Sequence, residues 1–244
     1  MKLISNLSPN YQKKARKKND IIFIIIHYTG MQSEIESINR LKDVRSKVSC
    51  HYLINRKGEV IQMVKDLNVA WHAGKSRWDK YVNLNENSIG IELVNKGHKY
   101  GYQNFTKKQI DSLIRLCKNL KKKYLIKQEH FLGHSDIAPL RKSDPGEKFP
   151  WGKLSINNLG KWYIKRPYNI EVNFKKMRSL FFKNLKQMGY RYFRVNRSSS
   201  NDKKIVKSFQ QHYSQNNVTG NYYPKNVTGI LDRKTLNISH FLTH

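Results

Sequence analysis

Residues 134–146 bring together more side chains able to do chemistry than any other stretch of the chain. They read His-Ser-Asp-Ile-Ala-Pro-Leu-Arg-Lys-Ser-Asp-Pro-Gly, with an imidazole, an ammonium and a carboxylate at His134, Lys142 and Asp144. Prolines within the stretch disfavour a continuous helix and predict a shaped loop. A second imidazole, His27, follows an apolar run, where a strand would end. Two histidines and an aspartate are ligands that zinc accepts for catalysis, with a fourth position left for water.

Two strands are expected to position these groups. In residues 21–28 the odd-numbered and the even-numbered positions are both mainly apolar. This pattern predicts a central strand whose two faces are both covered. Residues 88–95 predict another strand, with Gly90, Glu92 and Val94 on one face. A carboxylate among apolar neighbours is costly to bury without a partner. Glu92 is therefore a candidate to face the same site as the histidines.

Helices alternate with the strands along the chain. Thr106 and Gln109 form a capping box ahead of a long apolar stripe. The further elements predicted are a helix over 33–48, a hairpin over 51–64, a helix over 106–124 and a short strand over 131–134. This interleaving predicts an α/β domain with a mixed central β-sheet flanked by helices.

The pattern changes on either side of that domain. Residues 1–19 read as a basic N-terminal arm, either poorly ordered or strapped over the surface, and residues 152–170 read as a connector. Three short helices are predicted after it, over 173–188, 202–213 and 232–242. We therefore expect three parts: the arm, a catalytic domain over 20–165, and a small C-terminal three-helix domain over 170–244.

The charge of the chain is strongly positive. Its 244 residues carry 47 Lys and Arg against 17 Asp and Glu, a formal net charge of +30. Such an imbalance favours anionic partners, which include nucleic acid, anionic lipid and the acidic groups of a bacterial wall. No nucleic-acid-binding motif accompanies the charge, so we expect affinity for an anionic cell-wall surface and no nucleic-acid partner.

Neither end of the chain predicts membrane insertion. The first residues lack the apolar stretch of a secretory signal, and the apolar run 21–26 is too short to cross a bilayer. No transmembrane segment is predicted, and action in the cytoplasm, export by another route or a replaced leader are all compatible with this pattern. The two cysteines, Cys50 and Cys117, are expected to be buried free thiols.

Five motifs along residues 20–165 carry a family resemblance. They are Ile-His-Tyr-Thr at 26–29, Ser-Cys-His-Tyr-Leu-Ile at 49–54, Ala-Trp-His-Ala-Gly at 70–74, Ser-Ile-Gly-Ile-Glu-Leu at 88–93, and the loop 134–146 continuing to Phe-Pro-Trp at 149–151. In this order they resemble the zinc-dependent N-acetylmuramoyl-L-alanine amidases, the family shared by bacterial cell-wall amidases, phage amidases and peptidoglycan recognition proteins. Asp144 resembles the branch whose third metal ligand is aspartate; phage and recognition-protein members commonly have cysteine there.

The resemblance implies a role for each candidate residue. It implies that a zinc ion is bound by His27, His134 and Asp144. Glu92 is implied as the general base, and Lys142 as the cation that steadies the developing oxyanion. The substrate-groove residues implied are His51, Trp71 and His72. The expected reaction is hydrolysis of the amide between N-acetylmuramic acid, including its 1,6-anhydro form, and L-alanine.

Several alternatives stay open within this interpretation. Some members of the family are non-catalytic peptidoglycan receptors, although such members commonly lack a metal ligand. Residues 204–236 more weakly resemble a peptidoglycan-binding helical module, which favours a polymeric wall substrate in the cell envelope, periplasmic or secreted. The missing signal sequence favours instead a cytoplasmic recycling amidase restricted to anhydro-muropeptides. We expect broad activity in the envelope.

Overall fold

A computed structural model describes residues 3–13, 15–164, 170–214 and 227–244. Its strands are β1 (Leu3–Ser5), β2 (Tyr11–Gln12), β3 (Phe23–Tyr28), β4 (Tyr52–Ile54), β5 (Val60–Gln62), β6 (Val69–Ala70), β7 (Arg77–Trp78), β8 (Tyr81–Val82), β9 (Ser88–Leu93) and β10 (Phe131–Gly133). Its α-helices are α1 (Glu34–Lys42), α2 (Lys107–Tyr124), α3 (His134–Ile137), α4 (Trp151–Ile156), α5 (Phe174–Met188), α6 (Asp202–Tyr213) and α7 (Arg233–Phe241).

Within the described residues, six strands form the main sheet in the order β1-β5-β4-β9-β3-β10. β3 lies between β9 and β10 and runs parallel to both, whereas β4 and β5 form the predicted antiparallel hairpin. The mixed sheet predicted from the sequence is therefore confirmed. Apolar residues on both faces of β3 are fully buried, as its unbroken apolar pattern requires.

Helices cover both faces of the sheet. Ile24 and Ile26 of β3 face a core that contains the apolar stripe of α2. Phe23 and Ile25 face the opposite core, which they share with residues of α5, α6 and α7 such as Phe209. The α/β fold with flanking helices is confirmed, and the three C-terminal helices form one of its two covering layers.

Helix boundaries follow the capping residues. The Thr106 hydroxyl accepts a hydrogen bond from the Gln109 backbone, and the Gln109 side chain accepts one from the Thr106 backbone, so the predicted capping box begins α2. α1 ends at Lys42, six residues before the predicted end, because Asp43 is extended and its carboxylate caps the short 3₁₀ turn that follows. The connector predicted over 152–170 is partly wrong, since α4 occupies its first residues, while 165–169 lie outside the described residues.

The predicted N-terminal arm is a strap. β1 lies parallel to β5 and extends the sheet edge by one strand. The Arg16 guanidinium is buried and donates hydrogen bonds to the backbone carbonyls of Asp66, Asn85 and Glu86. The strap therefore joins the sheet edge to the segments around residues 66 and 85.

Cys50 and Cys117 are buried free thiols, as predicted. Among the helices of the described residues, none combines the length and the apolar character needed to cross a bilayer. Part of the predicted C-terminal motif, residues 215–226, lies outside the described residues.

Candidate metal centre

The candidate site lies at the carboxyl ends of three adjacent parallel strands. His27 of β3 is directly opposite Glu92 of β9 in the strand register. His134 follows β10, whose last residue is aligned with the residue before His27. Because the carboxyl ends of parallel strands meet at one edge, these separate segments bring their side chains to one place. The loop 134–146 then returns Asp144 to the same edge.

Three side-chain atoms converge at this edge. The Nδ1 atoms of His27 and His134 are 3.0 Å apart, and each lies 3.0 Å from Oδ2 of Asp144. All three residues are buried. Nitrogen and oxygen ligands about 2.0–2.1 Å from a tetrahedral zinc ion would be separated from one another by about 3.3 Å. The observed triangle is close to that size.

The protonation of His27 follows from a chain of hydrogen bonds. The Ser88 hydroxyl donates to the carbonyl of Leu84, so its oxygen accepts from Nε2 of His72 at 3.2 Å. Nδ1 of His72 is then an acceptor, and Nε2 of His27 donates to it at 3.0 Å. The remaining nitrogen of His27, Nδ1, carries a lone pair and points at the other two candidate ligands.

His134 is oriented in the same way by a backbone carbonyl. Its Nε2 lies 3.1 Å from the carbonyl oxygen of Ala73, which can only accept, so the proton is on Nε2 and the lone pair on Nδ1. The same carbonyl accepts a hydrogen bond from Arg141, whose Nε also donates to the carbonyl of Lys75. Arg141 therefore attaches the loop 134–146 to the segment after β6.

Two imidazole lone pairs and a carboxylate thus face one another inside the protein. Such a set is mutually repulsive until a cation occupies the space between the three atoms. Burial, followed by repulsion from His134, lowers the pKa of His27 to about 4, which keeps its imidazole neutral near pH 7. The donor set, its spacing and its protonation all fit a metal ion with nitrogen and oxygen ligands.

Glu92 has the properties of a proton-transfer group beside this set. Its Oε2 is buried and has no hydrogen-bond partner in the described part of the chain. Burial, and secondly the charge of Asp144, raise its pKa to about 8, while Lys142 opposes that increase. Glu92 and the three candidate ligands line one cavity of about 330 Å³. A carboxyl group with this pKa can hold and release a proton near neutral pH.

The other predicted residues differ in their positions. Lys142 and Trp71 line the cavity, and His72 lines it while also orienting His27. His51 does not line the cavity: its Nδ1 accepts from the Gly90 backbone and its Nε2 contacts the carbonyl of Asn68. In the structure, His51 therefore links the backbone at Gly90 to the backbone at Asn68.

One glycine makes room for this arrangement. A Cβ atom on Gly90 would collide with the ring of His72. The backbone of β9 can therefore approach His72 only where a side chain is absent. This requirement explains Gly90, which lies in the motif that carries Glu92.

Asp136 is a supporting residue that the sequence analysis did not identify. Its buried carboxylate accepts hydrogen bonds from the Gly133 backbone, the Tyr190 hydroxyl and Nδ1 of His212. The His212 ring is stacked between Trp151 and Tyr213. Asp136 lies two residues after His134, so the C-terminal part of the chain fixes α3 and, through it, a candidate ligand. The sequence signal that could have identified Asp136 is its position in the His-Ser-Asp-Ile segment, two residues after a candidate ligand.

The fold and the site define an α/β protein with a buried candidate metal centre at the ends of its parallel strands. The sequence profile of the N-acetylmuramoyl-L-alanine amidase family, Amidase_2, matches residues 17–147, more than half of the chain. The chain belongs to this family, as its motifs predicted.

Individual relatives support the assignment. The chain is 41% identical over 152 residues to the N-acetylmuramoyl-L-alanine amidase AmiD of Escherichia coli, a match that covers 57% of this chain and 54% of that protein. It is 33% identical over 162 residues to the 1,6-anhydro-N-acetylmuramyl-L-alanine amidase AmpD of Haemophilus influenzae, covering 59% and 85%. The aligned segment thus spans little more than half the length of the E. coli relative.

Solved structures match over nearly the whole chain. A complex of E. coli AmiD with the substrate anhydro-N-acetylmuramic acid-L-Ala-D-gamma-Glu-L-Lys superposes with a TM-score of 0.75 at 30% identity, covering 96% of this chain and 92% of that one. AmpDh3 of Pseudomonas aeruginosa gives the same TM-score at 26% identity, covering 96% and 95%. The C-terminal helices are therefore included in the structural similarity.

Proposed function

We propose that this protein is a zinc-dependent amidase that hydrolyses the bond between N-acetylmuramic acid and L-alanine. The observation that carries the proposal is the convergence of two imidazole lone pairs and a carboxylate beside the buried carboxyl group of Glu92. Family membership and the similarity to the amidases AmiD and AmpD support the same reaction. A muramoyl peptide, including the 1,6-anhydro form, is the proposed substrate.

His27, His134 and Asp144 would hold the zinc ion. When bound, zinc lowers the pKa of a coordinated water to about 7, far below that of bulk water, and polarises a carbonyl group. The protein's part is to keep both imidazoles neutral and correctly turned, through His72 for His27 and through the Ala73 carbonyl for His134.

Glu92 would move the proton that hydrolysis requires. Its carboxylate takes a proton from the attacking water and delivers it to the departing alanine nitrogen. A pKa raised to about 8 by burial suits both directions of transfer, because the group is neither a strong acid nor a strong base at neutral pH. Glu92 is opposite His27 in register, so the proton is held next to the reaction centre.

Lys142 and Trp71 would act on the substrate directly. Lys142 is an exposed cation on the cavity rim, two residues before Asp144, where it can stabilise an oxyanion that develops on the scissile carbonyl. Trp71 offers an aromatic face in the same cavity for packing on a sugar or the stem peptide. His72 takes the role of orienting His27.

The polymer is the proposed physiological substrate, and the cell envelope the proposed compartment. A formal net charge of +30 favours the acidic groups of peptidoglycan. We assign the C-terminal helices, predicted to resemble a peptidoglycan-binding module, to the same task. The competing function is recycling of anhydro-muropeptides in the cytoplasm, which the names of the AmpD relatives favour.

Product analysis tests these proposals. Intact sacculi and soluble anhydro-muropeptides are each incubated with the protein under three conditions: no addition, a chelator, and a chelator followed by zinc. The products are identified by mass spectrometry. We expect free stem peptides from both substrates, lost on chelation and restored by zinc. Cleavage confined to anhydro-muropeptides would favour the recycling function. Release from neither substrate would contradict the proposed activity and favour a non-catalytic receptor.

A further inference from the structure

A second depression lies beside the metal centre, between the β7–β8 hairpin and the loop 190–201 that follows α5. It has a volume of about 760 Å³, and we refer to it as the arginine cleft. Its lining includes four arginines and no carboxylate; the arginines are Arg77, Arg191, Arg194 and Arg197. Guanidinium groups bind carboxylates and phosphates through paired hydrogen bonds, so this lining favours an anionic ligand.

Arg178 holds the backbone of the loop that forms one wall of the cleft. The Arg178 guanidinium donates to the backbone carbonyls of Arg194, Val195 and Arg197 and to the carboxylate of Asp202. It also lies 4.4 Å from the centre of the Phe182 ring. Arg178 thereby holds the backbone of the loop whose side chains Arg194 and Arg197 line the cleft.

The two walls are joined to each other. The Asp79 backbone donates to the carbonyl of Gly189, and the Asp79 carboxylate forms an ion pair with Arg191. The Trp78 ring packs edge-on against Tyr190, with ring centres 4.7 Å apart. The β7–β8 hairpin is therefore docked onto the C-terminal part of the chain.

Three cleft arginines keep an unbalanced charge. Arg191 is paired with Asp79, but within the described ranges no acidic side chain forms an ion pair with Arg77, Arg194 or Arg197. All three are exposed to solvent. Positive charges held close together on a fixed surface repel one another, and a bound anion relieves that repulsion.

The arginine cleft is linked to the metal cavity by shared lining residues. Arg141 lines the metal cavity and also a small pocket of about 200 Å³ that includes Lys75 and Tyr192. Tyr192 in turn lines the arginine cleft. A path of basic side chains thus begins at Lys142 and Arg141 and ends at the arginines. A molecule with its scissile bond at the metal centre has neighbouring chain segments within reach of this path.

We infer that the arginine cleft binds carboxylate groups of peptidoglycan stem peptides away from the bond being cut, and so strengthens binding of the polymer. This inference rests on the proposed function, because the proposed substrate supplies the ligand. A stem containing D-gamma-Glu, as in the substrate bound to the E. coli relative, leaves a free α-carboxylate at that residue. In the polymer such carboxylates recur along the glycan strand, which matches a separate cationic cleft beside the cavity.

The test is co-sedimentation of the inactive Glu92→Gln protein with sacculi over a range of salt concentrations. In this background the triple substitution Arg77→Gln, Arg194→Gln, Arg197→Gln should weaken binding about tenfold or more and reduce the salt dependence. The matched control removes three exposed cations from α2, on the opposite face of the sheet, through Lys108→Gln, Lys118→Gln and Lys122→Gln. The control should bind within about twofold of its parent.

Sacculi whose carboxylates have been converted to amides identify the ligand group. The parent protein should bind amidated sacculi as weakly as the arginine variant binds untreated ones. Equal losses in the arginine and lysine variants would overturn the inference, since binding would then follow total charge. Unchanged binding of the arginine variant, or of amidated sacculi, would also overturn it. Sedimentation needs no turnover, so failure of the proposed activity is seen separately in the product analysis.

Discussion

The imidazole of His212 in α6 donates a hydrogen bond of 2.7 Å to the carboxylate of Asp136, two residues after His134. Both residues are almost fully buried. Ser208 of the same helix donates to the backbone carbonyl of Ser135, so α6 is bonded to α3 at two adjacent positions. The geometry of one candidate ligand therefore depends on a helix near the end of the chain.

Replacing His212 should weaken metal binding from a distance. His212→Ala removes a hydrogen-bond donor from a buried carboxylate and leaves a gap between Trp151 and Tyr213. We expect the free energy of unfolding to fall by about 2–4 kcal/mol and zinc affinity to fall about tenfold. Thermal denaturation and calorimetric zinc titration measure the two effects. The control is His244→Ala, an exposed histidine; equal zinc affinity in both variants would contradict the prediction.

Replacing Glu92 should separate metal binding from turnover. Glu92→Gln keeps the size of the side chain but cannot exchange the proton, so kcat should fall about 10²–10⁴-fold. Zinc content, measured on the purified protein, should be unchanged because Glu92 is not among the three converging ligand atoms. Glu129→Gln, at an exposed position, is the control. Loss of zinc in the Glu92 variant would mean that Glu92 is a ligand or a structural residue.

Gly90 and His72 should be energetically coupled. Gly90→Ala places a methyl group against the His72 ring, which displaces the hydrogen-bond acceptor of His27. We expect zinc affinity to fall about 10–100-fold, and a similar fall for His72→Ala. In the double variant the methyl group has space, so adding Gly90→Ala to His72→Ala should have little further effect. Fully additive losses, measured by zinc titration, would show that the two residues act independently.

The raised pKa of Glu92 predicts a pH-dependent stability of the metal-free protein. Its pKa is about 8 when folded, against an ordinary value of 4.5, because burial and the charge of Asp144 oppose ionisation. Between these values the folded state holds more protons than the unfolded state, so stability falls as pH rises through this range. Glu92→Gln removes the effect. The variant should therefore gain about 4 kcal/mol over the wild type between pH 5 and pH 9.

Chelated samples are unfolded in urea at several pH values to test this. The Glu129→Gln control should follow the wild type at every pH. A constant difference between Glu92→Gln and the wild type would show that Glu92 ionises with an ordinary pKa.

Local signals in the sequence predicted most of the fold. The capping box at Thr106 and Gln109 and the unbroken apolar pattern of β3 depend on neighbouring residues, and both elements formed as expected. These two features are predictable because the physical cause and the structural result lie close together along the chain. The three side chains at the candidate metal centre lie up to 117 residues apart, and the resemblance of their motifs to a known family indicated them.

The remaining features depend on contacts between distant segments. His51 lies in a motif segment, but its ring nitrogens are used by the backbones of Gly90 and Asn68, which no local pattern reveals. Arg16, in an arm that reads as simply basic, is buried against carbonyls about 50 and 70 residues away. His212 lies outside the five motifs, and its partner, Asp136, is 76 residues earlier in the chain.

β3 shares one apolar core with α5, α6 and α7, so the sheet and the C-terminal helices are not independent structural units. Phe23, Ile25 and Leu132 belong to the same apolar core as residues from the last third of the sequence. A fragment ending before residue 170 would expose that face of the sheet to water, at a cost of about 1.5–3 kcal/mol for each large side chain. The candidate metal centre and the C-terminal helices must therefore be inherited, exchanged or engineered together.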